Sequence, residues 1–205
     1  MPPTWPSEPQ VVLEGRTIRL EPLEERHARD LHEAGREASI WTYMPRGPLA
    51  SVDDARAMIR SVLESARDGS AWPFATVENA SGRAIGSTRY FDIRPEHRGL
   101  EIGWTWLGVA WQRTAANTEQ KRLLLAHAFD VLGALRVQLK TDARNVRSQR
   151  AIERIGGVRE GVLRAHMILP DGHVRDSVMY SITRPDWPEA KRRLAELEAR
   201  YRDAG

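Results

Sequence analysis

The sequence contains no cysteine. Disulfides, thiolate metal sites and a cysteine nucleophile are excluded together, so any acyl transfer by this chain should be direct. No apolar run approaches the ~20 residues a membrane-crossing helix needs, and no membrane partner is expected. The six histidines, at positions 27, 32, 97, 127, 166 and 173, include no pair in a zinc-binding context. His27 and His32 are five apart and miss the i, i+4 face of a helix, so no metal is assigned. There is also no basic block. The 31 basic and 28 acidic residues are interleaved and leave a net charge of +3, which argues against a nucleic-acid partner and favours anionic ligands only weakly. The opening MPPTWPSEPQ has neither a basic n-region nor an apolar h-region, so residues 1–10 are expected to form a flexible tail and the protein to be cytoplasmic.

What is present is the composition of a globular protein, 41% hydrophobic and 29% charged over 205 residues. That length supports one well-buried core, and no internal linker marks a second, so residues 11–205 are expected to be one domain.

The chain is organised around Gly99 to Phe129, where the hydrophobic period changes once. Leu100, Ile102, Trp104 and Trp106 alternate with Glu101, Gly103 and Thr105, the period of a strand. From Thr118 onward Leu123, Leu124, Ala128 and Phe129 recur at helical spacing, and Asn117 with Gln120 three residues later makes a capping pair. Between them, Gln112, Arg113, Thr114, Ala115 and Ala116 form a small, polar turn whose N–H groups would stand at the positive end of a helix dipole. Such a turn can hold a phosphate.

Upstream, Val11 to Leu20 reads as a strand or hairpin around Gly15-Arg16, and a helix follows through Leu31 to about Ala38. Trp41, Tyr43 and Met44 either line a cleft or fill the core. Ser51 and Asp54 cap a helix ending by Gly69. Phe74 to Val77 and Ala84 to Ile93 are antiparallel strands that meander into the central one. Downstream, Gly133 caps the central helix, and Arg136 to Thr141 is a strand parallel to the central one. Asn145 opens a helix closed by Gly156-Gly157. Val162 to Leu169 and Val174 to Ile182 form a final hairpin, and Asp186 caps a closing helix. The expected class is α/β, a mixed sheet with helices on both faces.

The turn at Gln112 resembles motif A of the GCN5-related N-acetyltransferases (GNAT), Gln/Arg-x-x-Gly-x-Gly/Ala, whose amides bind the pyrophosphate of acetyl-CoA. Gln112 matches, whereas Ala115 and Asn117 stand where the family has glycine and glycine or alanine. Asn145-x-x-Ser148, followed by Ala151, Ile152 and Gly156, resembles motif B, whose asparagine and serine face the pantetheine arm. Ile152 occupies the position of the tyrosine that many members use as a general acid. With Gly15-Arg16-x-x-x-Leu20-x-Pro22-Leu23, Glu101-Ile102-Gly103 and Arg159-Glu160-Gly161-Val162-Leu163, the pattern over residues 11–183 is similar to the RimJ/RimL-type branch, which acetylates protein N-termini.

The resemblance implies a mostly antiparallel sheet with a V-shaped splay between the fourth and fifth strands, and acetyl-CoA as co-substrate. It implies cofactor contacts from Leu107, Val109, Gln112, Arg113, Thr114, Ala115, Ala116, Asn117, Thr118, Asn145 and Ser148. The acceptor would be a primary amine, a protein N-terminus first and a small molecule as the alternative. A non-catalytic acyl-CoA-binding module is a further reading, and monomer or homodimer stays open.

An α-amino group has a pKa of ~8 and a lysine ~10.4, so an acceptor amine must lose a proton before attack. Glu101 is the first choice of base because it lies on the strand entering the cofactor loop, and Glu160 is the second. Ser148 is the expected proton donor to the leaving thiolate. A backbone N–H near Leu107 would polarise the thioester carbonyl.

Overall fold

The computed structural model describes residues 5–6 and 10–203; positions 1–4 and 7–9, most of the expected tail, lie outside the described residues, as do 204–205. Within that tail Trp5 is anchored, its indole N–H donating to the Leu132 carbonyl at 2.6 Å.

Eight strands form one sheet. β1 (Leu13–Glu14), β2 (Ile18–Pro22), β3 (Trp72–Glu78), β4 (Ala84–Arg94), β5 (Gly99–Leu107), β6 (Arg136–Asp142), β7 (Val158–Ile168) and β8 (Val174–Thr183) lie in the order β1-β2-β3-β4-β5-β6-β8-β7. Every neighbouring pair is antiparallel except β5 and β6. These two are parallel, as expected of strands joined through a helix. They pair only at Gly99↔Arg136, Leu100↔Val137 and Glu101↔Gln138. Beyond Glu101 both strands continue without each other, which is the expected splay. The edge of β5 facing β6 therefore opens into a cleft.

The helices are α1 (Ala28–Gly35), α2 (Val52–Ser65), α3 (Ala115–Ala126), α4 (Val146–Arg154) and α5 (Trp187–Asp203). They cover both faces. One core combines Ile18, Leu20, Phe74, Leu100 and Ile102 of the sheet with Leu124 and Phe129 after β5 and Leu194 of α5. A second combines Ala75, Val77 and Trp106 with Leu31 of α1 and Ile59 of α2, and a small third packs Leu139, Val178 and Tyr180 against Ile152 of α4.

Three expectations need correction. First, α3 begins at Ala115, not Thr118, and its N-cap is Thr114, whose hydroxyl accepts from the Ala116 N–H. Thr114 outcompetes Asn117 because Ala115 and Ala116 are strong helix formers and extend the helix back to the nearest capping hydroxyl.

Second, the alternation along β5 is broken. Gly103 pairs with Arg89 and Trp106 with Ser87, so Trp104 and Thr105 together oppose one residue of β4. This is a β-bulge, and Trp104 takes a left-handed φ of 53°. The extra residue moves Trp106 to the face opposite Leu100 and Ile102, where it packs on Trp41 with ring centroids 5.0 Å apart. Third, α1 stops at Gly35, and a 3₁₀ turn over Ala38–Ile40 follows. The Trp41 to Met44 cluster divides between the two readings. Trp41 is core, whereas Tyr43 and Met44 line the cleft.

Candidate active site

The splay between β5 and β6 is the mouth of a cavity of about 580 Å³. Its walls come from the bulged end of β5, the end of β6, the N-terminal half of α3, the length of α4, the segment between α1 and α2, and the β7–β8 hairpin near its tip.

At one end stand two helix N-termini. Between β5 and α3 the chain makes a 3₁₀ turn, Val109–Trp111, then an extended Gln112. Arg113 follows at a φ of 63°. A left-handed residue followed by an extended Thr114 and the first helical turn brings successive N–H groups round to one side, an anion-binding shape. In that turn the Ala116 N–H is taken by Thr114, while the Ala115 and Asn117 N–H groups have no intrahelical acceptor, as at any helix start. Gln112 is fixed at both ends of its amide. Its Nε2 donates to the Leu107 carbonyl at 3.1 Å and its Oε1 accepts from Arg147 at 3.0 Å. On α4, Asn145 is the N-cap, its Oδ1 accepting from the Ser148 N–H at 3.0 Å, and both side chains line the cleft.

Three arginines of α4, Arg147, Arg150 and Arg154, line the same cavity. Their spacing of three and then four keeps them on one helix face. That periodicity was available in the sequence; these residues and Lys121, Gln138, Lys140 and Arg175 are the site residues that pattern reading missed.

Glu101 lies at the apex of the splay and is 1% exposed. Its Oε2 accepts from Gln138 Nε2 at 2.8 Å and from Lys140 Nζ at 3.1 Å. Its Oε1 is buried without a hydrogen-bond partner among the described residues. Burial pushes the Glu101 carboxyl above its ordinary value of 4.5, with Lys140 and Gln138 pulling the other way. Gly103 keeps the space beside it open, since a Cβ there would stand 3.3 Å from Oε1 and 2.7 Å from the Phe91 ring. Across the cleft, Lys121 of α3 donates to Thr105 of the bulge at 2.9 Å, and Thr105 shares a 2.8 Å hydrogen bond with Thr88. Burial lowers the Lys121 ammonium to about 7.

The structure thus brings together Glu101, Leu107, Gln112, Arg113, Thr114, Asn117, Asn145 and Ser148 on one cavity. Glu160 is not among its lining residues. It sits on β7 in a bidentate ion pair with Arg136, and Ser181 Oγ donates to it at 2.8 Å. Arg136 holds its carboxyl below the usual range, the opposite of what a base that must take a proton near neutrality requires. Val109 is 48% exposed and is not among the residues lining the cavity. Thr118 is fully buried inside α3, accepting from Arg154 at 3.1 Å, and so supports the site from behind. Ala115 and Ala116 offer backbone only.

Comparison with known proteins agrees with this fold. Residues 17–158 match the family model described as an acetyltransferase (GNAT) domain. A GCN5-related N-acetyltransferase from Brucella melitensis superposes with a TM-score of 0.86 at 29% identity, over 94% of this chain and 87% of that one. A protein from T. thermophilus, classed only provisionally as an acetyltransferase, gives 0.83 at 38% identity over 92% and 97% of the two chains. The uncharacterized N-acetyltransferase p20 of Bacillus licheniformis is 24% identical over 170 residues, 83% of this chain and 94% of its own length.

Proposed function

From the premise that the chain belongs to the GNAT acetyltransferase family, whose members use acetyl-CoA, we propose that it transfers the acetyl group directly to a primary amine, in the first instance a protein N-terminal α-amino group. The observation that carries this reading is Glu101. It is a buried carboxylate at the point where β5 and β6 part, with one oxygen held by Gln138 and Lys140 and the other unpartnered in the cleft. An acceptor amine presented there meets a proton acceptor, and one held by Lys140 keeps its orientation. The rest of the proposed machinery follows from position. The first-turn amides of α3, with Arg113 and the α4 arginines, suit the phosphates of acetyl-CoA, and Asn145 and Ser148 suit its amide-bearing arm. The unpaired edge of β5 from the bulge to Leu107 supplies N–H groups for the thioester oxygen. Ser148 is proposed as donor to the departing thiolate, and residues 11–205 as one catalytic domain.

The preference for an N-terminus rests on the sequence patterns around Gly15-Arg16 and Arg159 to Leu163. CoA release measured with short peptides is expected only when the α-amino group is free. Equal release from the same peptides blocked at the N-terminus but carrying a lysine would overturn the N-terminal assignment, and release confined to small amines would select the alternative acceptor class.

The phosphate assignment has its own test. Ala115→Asp puts a carboxylate at the first position of α3, which favours the helix through its dipole but opposes an anion on the same amides. Acetyl-CoA affinity measured by calorimetry is expected to fall at least ~10-fold, the equivalent of ~1.4 kcal/mol, while the melting temperature holds or rises. Unchanged affinity would remove this turn as the phosphate site.

A further inference from the structure

Among the residues lining the cleft, Glu101 is the one acidic side chain, against seven basic ones: Arg113, Lys121, Lys140, Arg147, Arg150, Arg154 and Arg175. Four of the seven stand at or beside the helix N-termini proposed for the phosphates. Lys140 is engaged by Glu101, and Lys121, which donates to Thr105, is lowered by burial to about 7 and so can shed its charge, as a guanidinium cannot. Arg175 remains.

Arg175 is on β8, next to the tip of the final hairpin, and is 6% exposed. It lines the cleft from β8. Its Nε donates to Ser177 Oγ at 3.0 Å and its Nη1 to the Tyr43 carbonyl at 3.3 Å. Both acceptors are neutral. Ser177 Oγ also makes a 2.9 Å hydrogen bond with His166 Nδ1, so it has little capacity left. Among the described residues no carboxylate lies in ion-pair contact with Arg175. The acids whose charge it senses, Asp142 and Glu101, are already committed, Asp142 to Arg144 at 2.9 Å and Glu101 to Lys140 at 3.1 Å. Burial without a counter-ion pulls the guanidinium below its ordinary value.

A cation largely withdrawn from water without an anion is disfavoured, and a stable fold alone gives no reason for one on a cavity wall. Tyr43 and Met167, which line the cavity with it, hold it in place but cannot neutralise it. An acceptor amine also arrives positively charged, so a bare diamine or polyamine would add like charge beside Arg175 and Lys140, whereas an acceptor bringing its own anion would cancel it.

We infer that the acceptor of this enzyme carries a carboxylate beside its primary amine, and that Arg175 receives that carboxylate while the amine faces Glu101. The planar guanidinium is suited to this, with an Nη2 edge that makes no hydrogen bond among the described residues. The inference rests on the acetyltransferase reading and narrows its acceptor class. In a peptide the carboxylate would be an acidic side chain near the N-terminus; in a small molecule, the acid of an amino acid.

Two matched pairs of acceptors test it: C-terminally amidated peptides with glutamate or glutamine as second residue, and free alanine against alaninamide. The carboxylate member of at least one pair is expected to have a kcat/KM ~10–100-fold higher, chiefly through KM, the span of one charge-assisted contact. Which pair responds identifies the source of the carboxylate. Arg175→Met should lower the carboxylate acceptor selectively and so erase the preference, with acetyl-CoA affinity held, and Arg175→Lys should restore part of it. Equal rates within both pairs, or an Arg175→Met loss that is the same for both members, overturns the inference. If no acceptor turns over, calorimetry of the same four compounds on the CoA complex decides separately. An Arg175-dependent carboxylate preference in binding keeps this assignment and discards the transfer reading, and no preference discards both.

Discussion

Glu101→Gln is expected to lower kcat/KM by ~10²–10⁴-fold, the usual contribution of a general base. The substitution keeps the volume of the side chain and one oxygen able to accept from Lys140 or Gln138, but it cannot take a proton. Its pH profile separates catalysis from packing. Burial raises the Glu101 carboxyl above 4.5, so the wild-type rate should climb with pH as that group ionises, and this acid limb should be absent from the variant. Activity of the variant should instead recover as pH approaches the acceptor amine's own pKa. The stability effect has the opposite sign. A carboxyl raised in the folded state stabilises the fold below its unfolded pKa, and that stabilisation is lost as pH rises through the folded value. Near neutrality the wild-type protein therefore holds a charge the fold disfavours, and its melting temperature relative to Glu101→Gln should fall as pH rises. A wild-type rate across pH 6 to 9 would remove Glu101 as the base.

Two companion variants sharpen the result. Ser148→Ala should reduce kcat without removing the acid limb or weakening acetyl-CoA binding, because its hydroxyl is proposed to act on the leaving group. Glu160→Gln should leave the rate unchanged, since the Arg136 pair holds that carboxylate away from the cleft. The reverse pattern, Glu160→Gln impaired and Glu101→Gln normal, would move the base to β7.

Much of this site was legible because its parts lie on regular periods. Alternation along Leu100 to Gly103 placed Glu101 opposite the large apolar side chains, and the order strand, polar turn, helix, parallel strand put the turn beside a parallel pair, while the splay itself came from the family resemblance. The bulge was not legible. Trp104 and Trp106 are both large and apolar, so the alternation continued on paper while the backbone inserted an extra residue. The same limit applied at α3, where two capping residues three apart, Thr114 and Asn117, competed and only the helix propensity of Ala115-Ala116 separated them. Lys121 and Arg175 were beyond reach for a different reason. Each is distinguished by having no counter-ion among the described residues, in a cavity whose walls come from segments far apart in sequence, and no local pattern encodes that.

The largest effect expected on stability comes from a charged residue on the buried side of α3. Glu119 is 3% exposed, yet it faces the sheet, not solvent. Its carboxylate accepts from the backbone N–H groups of Arg16, Thr17 and Ile18 and from the Thr17 hydroxyl, clamping the turn between β1 and β2 onto the helix. Gly15 is required by the same contact, because a Cβ there would stand 2.8 Å from Glu119 Oε1 and 2.5 Å from the Ile18 carbonyl. Glu119→Ala leaves those donors without an acceptor. Arg16 is exposed and water can reach it, but Ile18 is buried, so the loss is set at about 3 kcal/mol, the scale of charge-assisted hydrogen bonds to a buried group. For a chain of this length that corresponds to a melting temperature lower by roughly 6–12 °C. Because the clamp sits one turn from the helix start proposed to receive the phosphates, acetyl-CoA affinity should fall with it, and saturating acetyl-CoA should recover part of the lost melting temperature. Gly15→Ala should reproduce the same two effects in weaker form by pushing the turn off the carboxylate. A Glu119→Ala protein that melts within 2 °C of wild type would mean that the turn is held by the sheet alone and that α3 needs no such tether.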